Sequence, residues 1–342
     1  MKLSDTLRTL GVATAGLVVA GALVAAPASA ETLKWITGKP EGANDAESIT
    51  TKWFVEEFNK RTGGQHEFRV FWGGSVAKAR EIPDALSAGV GDIGDIITPY
   101  FQDKFPINNA VGFFIPQPSS TVEIGEMMHK WHRKYPAFDA EMAKYNLKLI
   151  GVRPLESYGL ICTSPIRNLA DLKGKRIRTY GFAYPKIVAA MGATPVSLAS
   201  SEAYEAMQRG ILDCSPIGPV LAKGWKLDEV GKFYIRFPFG ASFGHMITMN
   251  RKKYDALDEQ TRAILDGLGR EHVMRYSVEL ALQTEDILDG WKEKGIEVID
   301  FPVEQAAPLV NDPGVQEIRK TWIDKANAAG LPGEAIASEM KF

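Results

Sequence analysis

Cysteine and histidine are scarce in this 342-residue chain, at two and five residues respectively. No Cys/His pairing has the spacing of a metal site, so zinc or iron–sulfur chemistry has no ligand set, and neither a metal nor a cofactor is expected. No block of basic residues occurs and the formal net charge is only −2. That argues against a nucleic-acid partner. After residue 30 no stretch approaches 18 uncharged apolar residues, which leaves no candidate membrane span in the body of the chain. Internal repeats and low-complexity segments are lacking too, and from Asp258 to Lys294 there is no proline at all.

What is present begins with an export signal. Lys2 and Arg8 precede an apolar run from Leu10 to Ala26, and Ala28-Ser29-Ala30 follows before Glu31. Residues 1–30 therefore read as a cleavable signal peptide, and the mature protein is expected in the periplasm. About 310 mature residues exceed what one core usually serves, which predicts two lobes. In an oxidising compartment Cys162 and Cys214, each near a predicted strand end, either form a disulfide or remain two buried thiols.

The stretch from Leu172 to Pro219 alternates strand, helix, strand, helix, strand, the signature of an open α/β sheet. Ligands bind such sheets outside the carboxyl ends of the strands, and Arg178 falls at one of these ends. A guanidinium there can hold a carboxylate through two parallel hydrogen bonds. Nearer the N-terminus, Leu33–Thr37, Phe68–Trp72 and Asp92–Ile97 read as strands with intervening helices. The loops that follow them, Gly38–Asn44, Gly73–Lys78 and Thr98–Phe101, should line one crevice. Leu147–Arg153 and Met246–Asn250 read as crossings between lobes, with Tyr158–Thr163 and Phe233–Phe237 as separate strands. Apolar residues at helical spacing from about 258 to 294 predict either one helix backing both lobes or two helices broken at Gly267–Gly269. Lobe 1 then comprises 31–150 with return segments from about 251–342, and lobe 2 comprises 151–250.

Three segments carry a resemblance: Asp171-Leu172-Lys173-Gly174-Lys175-Arg176-Ile177-Arg178, Met191-Gly192-Ala193-Thr194-Pro195-Val196, and Ser201 through Asp213. In order and spacing they resemble the DctP-type solute-binding proteins of tripartite ATP-independent periplasmic (TRAP) transporters. The resemblance implies an α/β, two-lobed periplasmic binding protein fold with a long helix spanning both lobes. It also implies a non-enzymatic receptor that hands a small organic acid to small and large membrane subunits. Arg178 matches the family's carboxylate-binding arginine. Gly151-Val152-Arg153 resembles a second cleft arginine, although Arg153 could equally tie the lobes together. Where many members follow the last-strand aspartate with Gly-Gln-Glu-Asn, this chain has Cys214-Ser215-Pro216-Ile217 after Asp213. The expected amide is missing, so the family's C4-dicarboxylates and sialic acid do not carry over as ligands.

The candidate ligand contacts are thus Arg178, Arg153, Thr98, Tyr100, Trp35, Tyr158, Tyr180, Ser215 and Phe243, with Phe101, Phe182, Tyr184 and Trp225 as further aromatic walls. Abundant aromatics and a lost amide favour an aromatic or apolar-chained acid. A monomer is expected. One rival is a secreted serine hydrolase, because Gly240-Ala241-Ser242-Phe243-Gly244 satisfies G-x-S-x-G. A nucleophile elbow needs a helix directly after its serine, and His245–Asn250 alternates like a strand instead. The other rival is a binding protein of an ABC-type or sensor-associated system.

Overall fold

A computed structural model describes residues 31–39, 41, 45–117, 120–198 and 200–340, apart from the side chains of Ser201, Ser242 and Phe243. The expected signal peptide lies outside these residues, as does part of the Gly38–Asn44 loop. In chain order the first unit is β1 (Glu31–Ile36), α1 (Ala46–Arg61), β2 (His66–Phe71), α2 (Ile82–Ser87) and β3 (Ile93–Ile97). Asp45 starts α1 by accepting a hydrogen bond from the Ser48 amide, satisfying one of the donors that a helix start leaves free. Next come α3 (Thr121–Lys134), α4 (Pro136–Ala143), β4 (Leu147–Cys162), β5 (Arg176–Thr179), α5 (Ala183–Ala190), β6 (Thr194–Ser197), α6 (Ala203–Gln208) and β7 (Cys214–Ile217). The chain finishes with α7 (Pro219–Gly224), α8 (Leu227–Val230), β8 (Phe233–Asn250), α9 (Arg251–Ala256), α10 (Glu259–Glu293), β9 (Glu297–Asp300), α11 (Val303–Ala306), α12 (Pro313–Ala328) and α13 (Gly333–Glu339).

One mixed sheet runs through both lobes in the order β2-β1-β3-β8-β4-β7-β5-β6, with β9 also on β8. The β1–β2, β1–β3, β5–β6 and β5–β7 pairs are parallel, as βαβ connections require. The crossings differ from the sequence reading: β4 and β8 are each one long strand, where two short strands apiece were expected. They pair antiparallel from Leu147↔Asn250 to Cys162↔Phe233, with register shifts at Leu149/Gly151, Arg153/Pro154, Pro154/Ser157 and Tyr158/Leu160. Those irregularities accommodate Pro154, which has no amide to give the ladder. The last strand of the central set, which the sequence pattern puts at Ile211–Ser215, is Cys214–Ile217, and Ile211 stays half-exposed in the turn after α6.

The long helix is unbroken over 35 residues, about 52 Å at 1.5 Å per residue. Its Leu265 and Leu268 join Trp35, Phe54 and Phe58 in the lobe 1 core. Its Ile287, Leu288 and Trp291 join Ile161, Leu212 and Tyr234 in lobe 2. Gly269 survives inside it for a packing reason: a Cβ there would lie 1.8 Å from the Ile150 carbonyl of β4. Cys162 and Cys214 are bonded, as register partners on β4 and β7. His129 and His132 of α3 are half-buried, and burial holds their imidazoles down to about 4 and about 3. Among the described residues no helix is long and apolar enough to cross a membrane, and no cluster of three metal-ligating side chains occurs.

Candidate functional site

The carboxyl ends of β1 and β3 in lobe 1 and of β5 and β6 in lobe 2 face one another across β4 and β8. Between them lies a cavity of about 640 Å³, lined from lobe 1 by Lys39, Glu47, Arg80, Pro99 and Tyr100 and from lobe 2 by Arg178, Tyr180, Leu198, Ser200 and Trp225. Glu156 and Tyr158 of β4, His245 of β8, and Tyr276 and Leu280 of α10 close its floor and back. A smaller cavity of about 320 Å³ lies against Tyr158 as well, with Arg236, Phe237 and Glu285 among its walls.

Arg178 is 4 % exposed. Its Nε donates to the Leu198 carbonyl at 3.0 Å and its Nη2 to Ser200 Oγ at 2.8 Å, and its guanidinium lies 4.8 Å from the centre of the Tyr180 ring. All of these partners are neutral, and Arg178 forms no ion pair with any described residue. The neighbouring arginines contrast with it. Arg176, two residues back on β5, is bound to Asp213 through Nε and Nη2 at 3.0 and 2.8 Å. Arg153 is fully buried, with Nη1 2.5 Å from Asp95 and 3.6 Å from Glu47, and with Nη2 donating to Thr51. Only Arg178 of the three keeps a buried cation without a counter-ion, and a buried charge left unpaired is costly. That cost is what an incoming anion can remove.

Lobe 1 presents charge that is already neutralised. Lys39 lies 3.2 Å from Asp45 and 3.1 Å from Glu47, and His245 Nδ1 lies 3.2 Å from the same Glu47. Burial works against ionising Glu47, but Lys39, His245 and Arg153 together hold its carboxyl well below the usual range. Burial also pushes the Tyr158 and Tyr180 phenols well above their ordinary value, so both remain neutral hydrogen-bonding groups. At the mouth, Tyr100 is 45 % exposed under the Arg80 guanidinium, 4.4 Å from its ring centre, and Trp225 is 44 % exposed.

Of the candidate contacts, Arg178, Tyr100, Tyr158 and Tyr180 come together on the cavity wall. Trp35, Arg153, Thr98 and Ser215 do not line that wall. Trp35 is a core residue of lobe 1, edge-on to Phe54 and Phe68, with its indole donating to Asp95. Arg153 lies in the lobe 1 ion network, where paired carboxylates occupy its guanidinium, and it is not on the wall. Thr98 is fully buried and donates to the Gly244 carbonyl. Ser215 is fully buried within β7 and is not among the residues that line the cavity. Phe243 lies on β8 opposite Pro154, and its side chain is outside the described residues. Sequence reasoning missed Glu156, Lys39, Glu47, His245, Leu198 and Ser200. Glu156 was hidden because Pro154–Ser157 was read as a gap between strands; the alternation of a continuous β4 would have placed it.

The Gly240–Gly244 run lies inside β8, which continues as a strand to Asn250. No helix follows Ser242, so a nucleophile elbow is not formed.

The model of DctP, the bacterial extracellular solute-binding protein family 7, matches residues 38–320. A solute-binding protein of Albidiferax ferrireducens is 24 % identical over 253 residues, covering 72 % of this chain and 73 % of its own. A TRAP periplasmic solute-binding protein of Desulfovibrio salexigens, in an open complex with the C-terminus of a symmetry mate in its ligand-binding site, superposes with a TM-score of 0.78 at 23 % identity, covering 91 % of this chain and 94 % of that one. One from Bordetella bronchiseptica with bound mandelate gives 0.76 at 21 % identity over 90 % and 97 %. At these identities the structural likeness establishes the fold, two lobes of a periplasmic binding protein, and the proteins of the family are binding proteins.

Proposed function

We propose that this chain, which belongs to the DctP family of bacterial extracellular solute-binding proteins, is the exported receptor of a TRAP transporter that closes on a small organic acid and delivers it to the small and large membrane subunits. The observation that carries this reading is Arg178: a buried guanidinium on the cavity wall, held by neutral acceptors and without a carboxylate partner among the described residues. A ligand carboxylate supplies the missing charge through a bidentate pair. Tyr158 and Tyr180 flank that position, and Leu155, Leu198, Val220, Leu221 and Trp225 supply apolar wall, which supports an aromatic or apolar-chained acid. The mandelate bound by the Bordetella bronchiseptica protein is an acid of that kind.

The receptor acts in the periplasm after removal of residues 1–30, works as a monomer and catalyses no reaction. Lobe 1 is formed by 31–150 with the start of the returning segment from about 251, and lobe 2 by 151–250 with the end of α10 and β9, which pack on Ile161 and Tyr234 and pair with Phe233–Arg236 of β8. A thermal-shift screen over organic acids, sugars and amines tests the function. Carboxylates should raise the melting temperature without being consumed. A rise with sugars or amines alone would sink the carboxylate reading.

A further inference from the structure

Arg178 is not the only buried charge in the cleft without an opposite partner. Glu156 of β4 is 3 % exposed and lines the same cavity, yet it makes no ion pair with any described residue. Its oxygens accept from the Val220 amide at 2.8 Å, the Leu221 amide at 2.9 Å and, more weakly, Thr284 Oγ1 of α10 at 3.4 Å. A carboxylate has about four acceptor positions, so these donors leave capacity unused. Gly218 makes this placement possible, since a Cβ there would lie 2.0 Å from Glu156 Cγ. The fold therefore keeps a bare residue where any side chain would evict the carboxylate.

We propose that Glu156 is the second pole of the binding site, and that the ligand is a monocarboxylate that also carries a hydrogen-bond donor, an ammonium, amide N–H or hydroxyl, directed to Glu156. The inference rests on the reading of Arg178 as the carboxylate contact. Each other charged group around Glu156 is already committed. Lys39 is shared between Asp45 and Glu47, and Glu47 also faces His245. The phenols of Tyr158, Tyr234 and Tyr276 are kept neutral by burial. Arg178 itself lies beyond ion-pair reach of Glu156, and Tyr158 feels both charges. One cavity thus holds an unmatched cation and an unmatched anion at separate places. A dicarboxylate would bring like charge to Glu156 in a low-dielectric site, whereas a donor would complete its hydrogen bonding. Burial also pushes the Glu156 carboxyl up to about 7, against its amide donors, so its charge responds to solution pH near neutrality.

The test compares four probes of one shape by calorimetry: phenylacetate, mandelate, phenylglycine and phenylmalonate. Mandelate and phenylglycine should bind the parent protein about tenfold or more tightly than phenylacetate, and phenylmalonate less tightly. In Glu156→Gln the ratio of phenylglycine to phenylacetate affinity should collapse towards unity, whatever the absolute affinities. Because that variant also disturbs the Val220 and Leu221 contacts, the parent supplies a second readout. Its ratio should grow as pH rises through about 7, where Glu156 ionises. Binding of phenylacetate with a ratio near unity in the parent, or a ratio unchanged in the variant, would overturn the role of Glu156 while leaving Arg178 in place. If no carboxylate in the panel binds, the Arg178 reading fails first and this inference with it.

Discussion

Arg178→Ala is the perturbation on which the functional reading depends. The guanidinium is almost fully buried, gives Nε and Nη2 to Leu198 and Ser200, and has no carboxylate beside it among the described residues. On the proposed reading, a ligand carboxylate completes an ion pair with it inside the cleft. Truncation then leaves the ligand carboxylate buried alone, a loss of roughly 3 to 5 kcal/mol by analogy with broken buried pairs. At about 1.4 kcal/mol per tenfold, that is about two to three and a half orders of magnitude in affinity. Arg178→Lys retains the charge but not the planar fork, and should fall between parent and alanine. Without ligand the balance differs, because removing an unpaired buried cation relieves desolvation while two hydrogen bonds to neutral acceptors are lost. The unliganded melting temperature should therefore move by no more than a few degrees, on the order of 1 kcal/mol. Arg176→Ala is the control, since that guanidinium is already held by Asp213 outside the cavity. Calorimetric titration of an acid identified by thermal shift reads all three variants. Near-parental affinity in a folded Arg178→Ala protein would refute the reasoning.

Asp95→Asn should cost roughly 3 to 5 kcal/mol in urea unfolding, because Arg153 would keep only the more distant Glu47 as counter-ion; a loss under about 1 kcal/mol would mean that solvent reaches the network. Gly269→Ala should destabilise the protein by about 2 kcal/mol or more, since α10 must lift from the Ile150 carbonyl. An unchanged melting temperature would show that the helix does not press on β4 there. The non-reduced, unfolded chain should offer no alkylatable thiol by intact mass, and reduction should lower stability by roughly 4 kcal/mol for a loop that closes over 52 residues. Coincident urea midpoints with and without reductant would contradict that.

The sequence made the α/β alternation legible because βαβ units announce themselves locally: Asp45 caps α1, Gly192 and Gly210 close the turns before β6 and β7, and apolar spacing runs through α10. It could not show that Leu147–Cys162 is one strand, because Pro154 is an ordinary breaker until its missing amide is placed at a register shift. The same blind spot concealed Glu156. Arg178 was found through its place at a strand end and through resemblance, whereas Trp35 was misplaced, and of the two readings left open for Arg153 the structure shows the tie and not the contact. Aromatic and charged residues near strand ends look alike in sequence whether they face a cavity or a core. Only the burial of Trp35 against Phe54 and Phe68, and the pairing of Arg153 with Asp95, separates the cases.

Because β4 and β8 pass through both lobes as unbroken strands, the halves of this receptor are not joined like a door to its frame. They are two ends of one beam, so a change in the angle between them has to bend a shared ladder. The register shifts between Leu149 and Ser157 are where that ladder is interrupted. α10 lies along this beam as a strut, pinned by Gly269 against Ile150 at one end and by Trp291 in the lobe 2 core at the other. Glu156 sits between beam and strut, bonded to α7 and touching Thr284. A ligand donor bound to Glu156, as proposed above, would therefore touch the strand shared by both lobes and, through Thr284, the helix behind them.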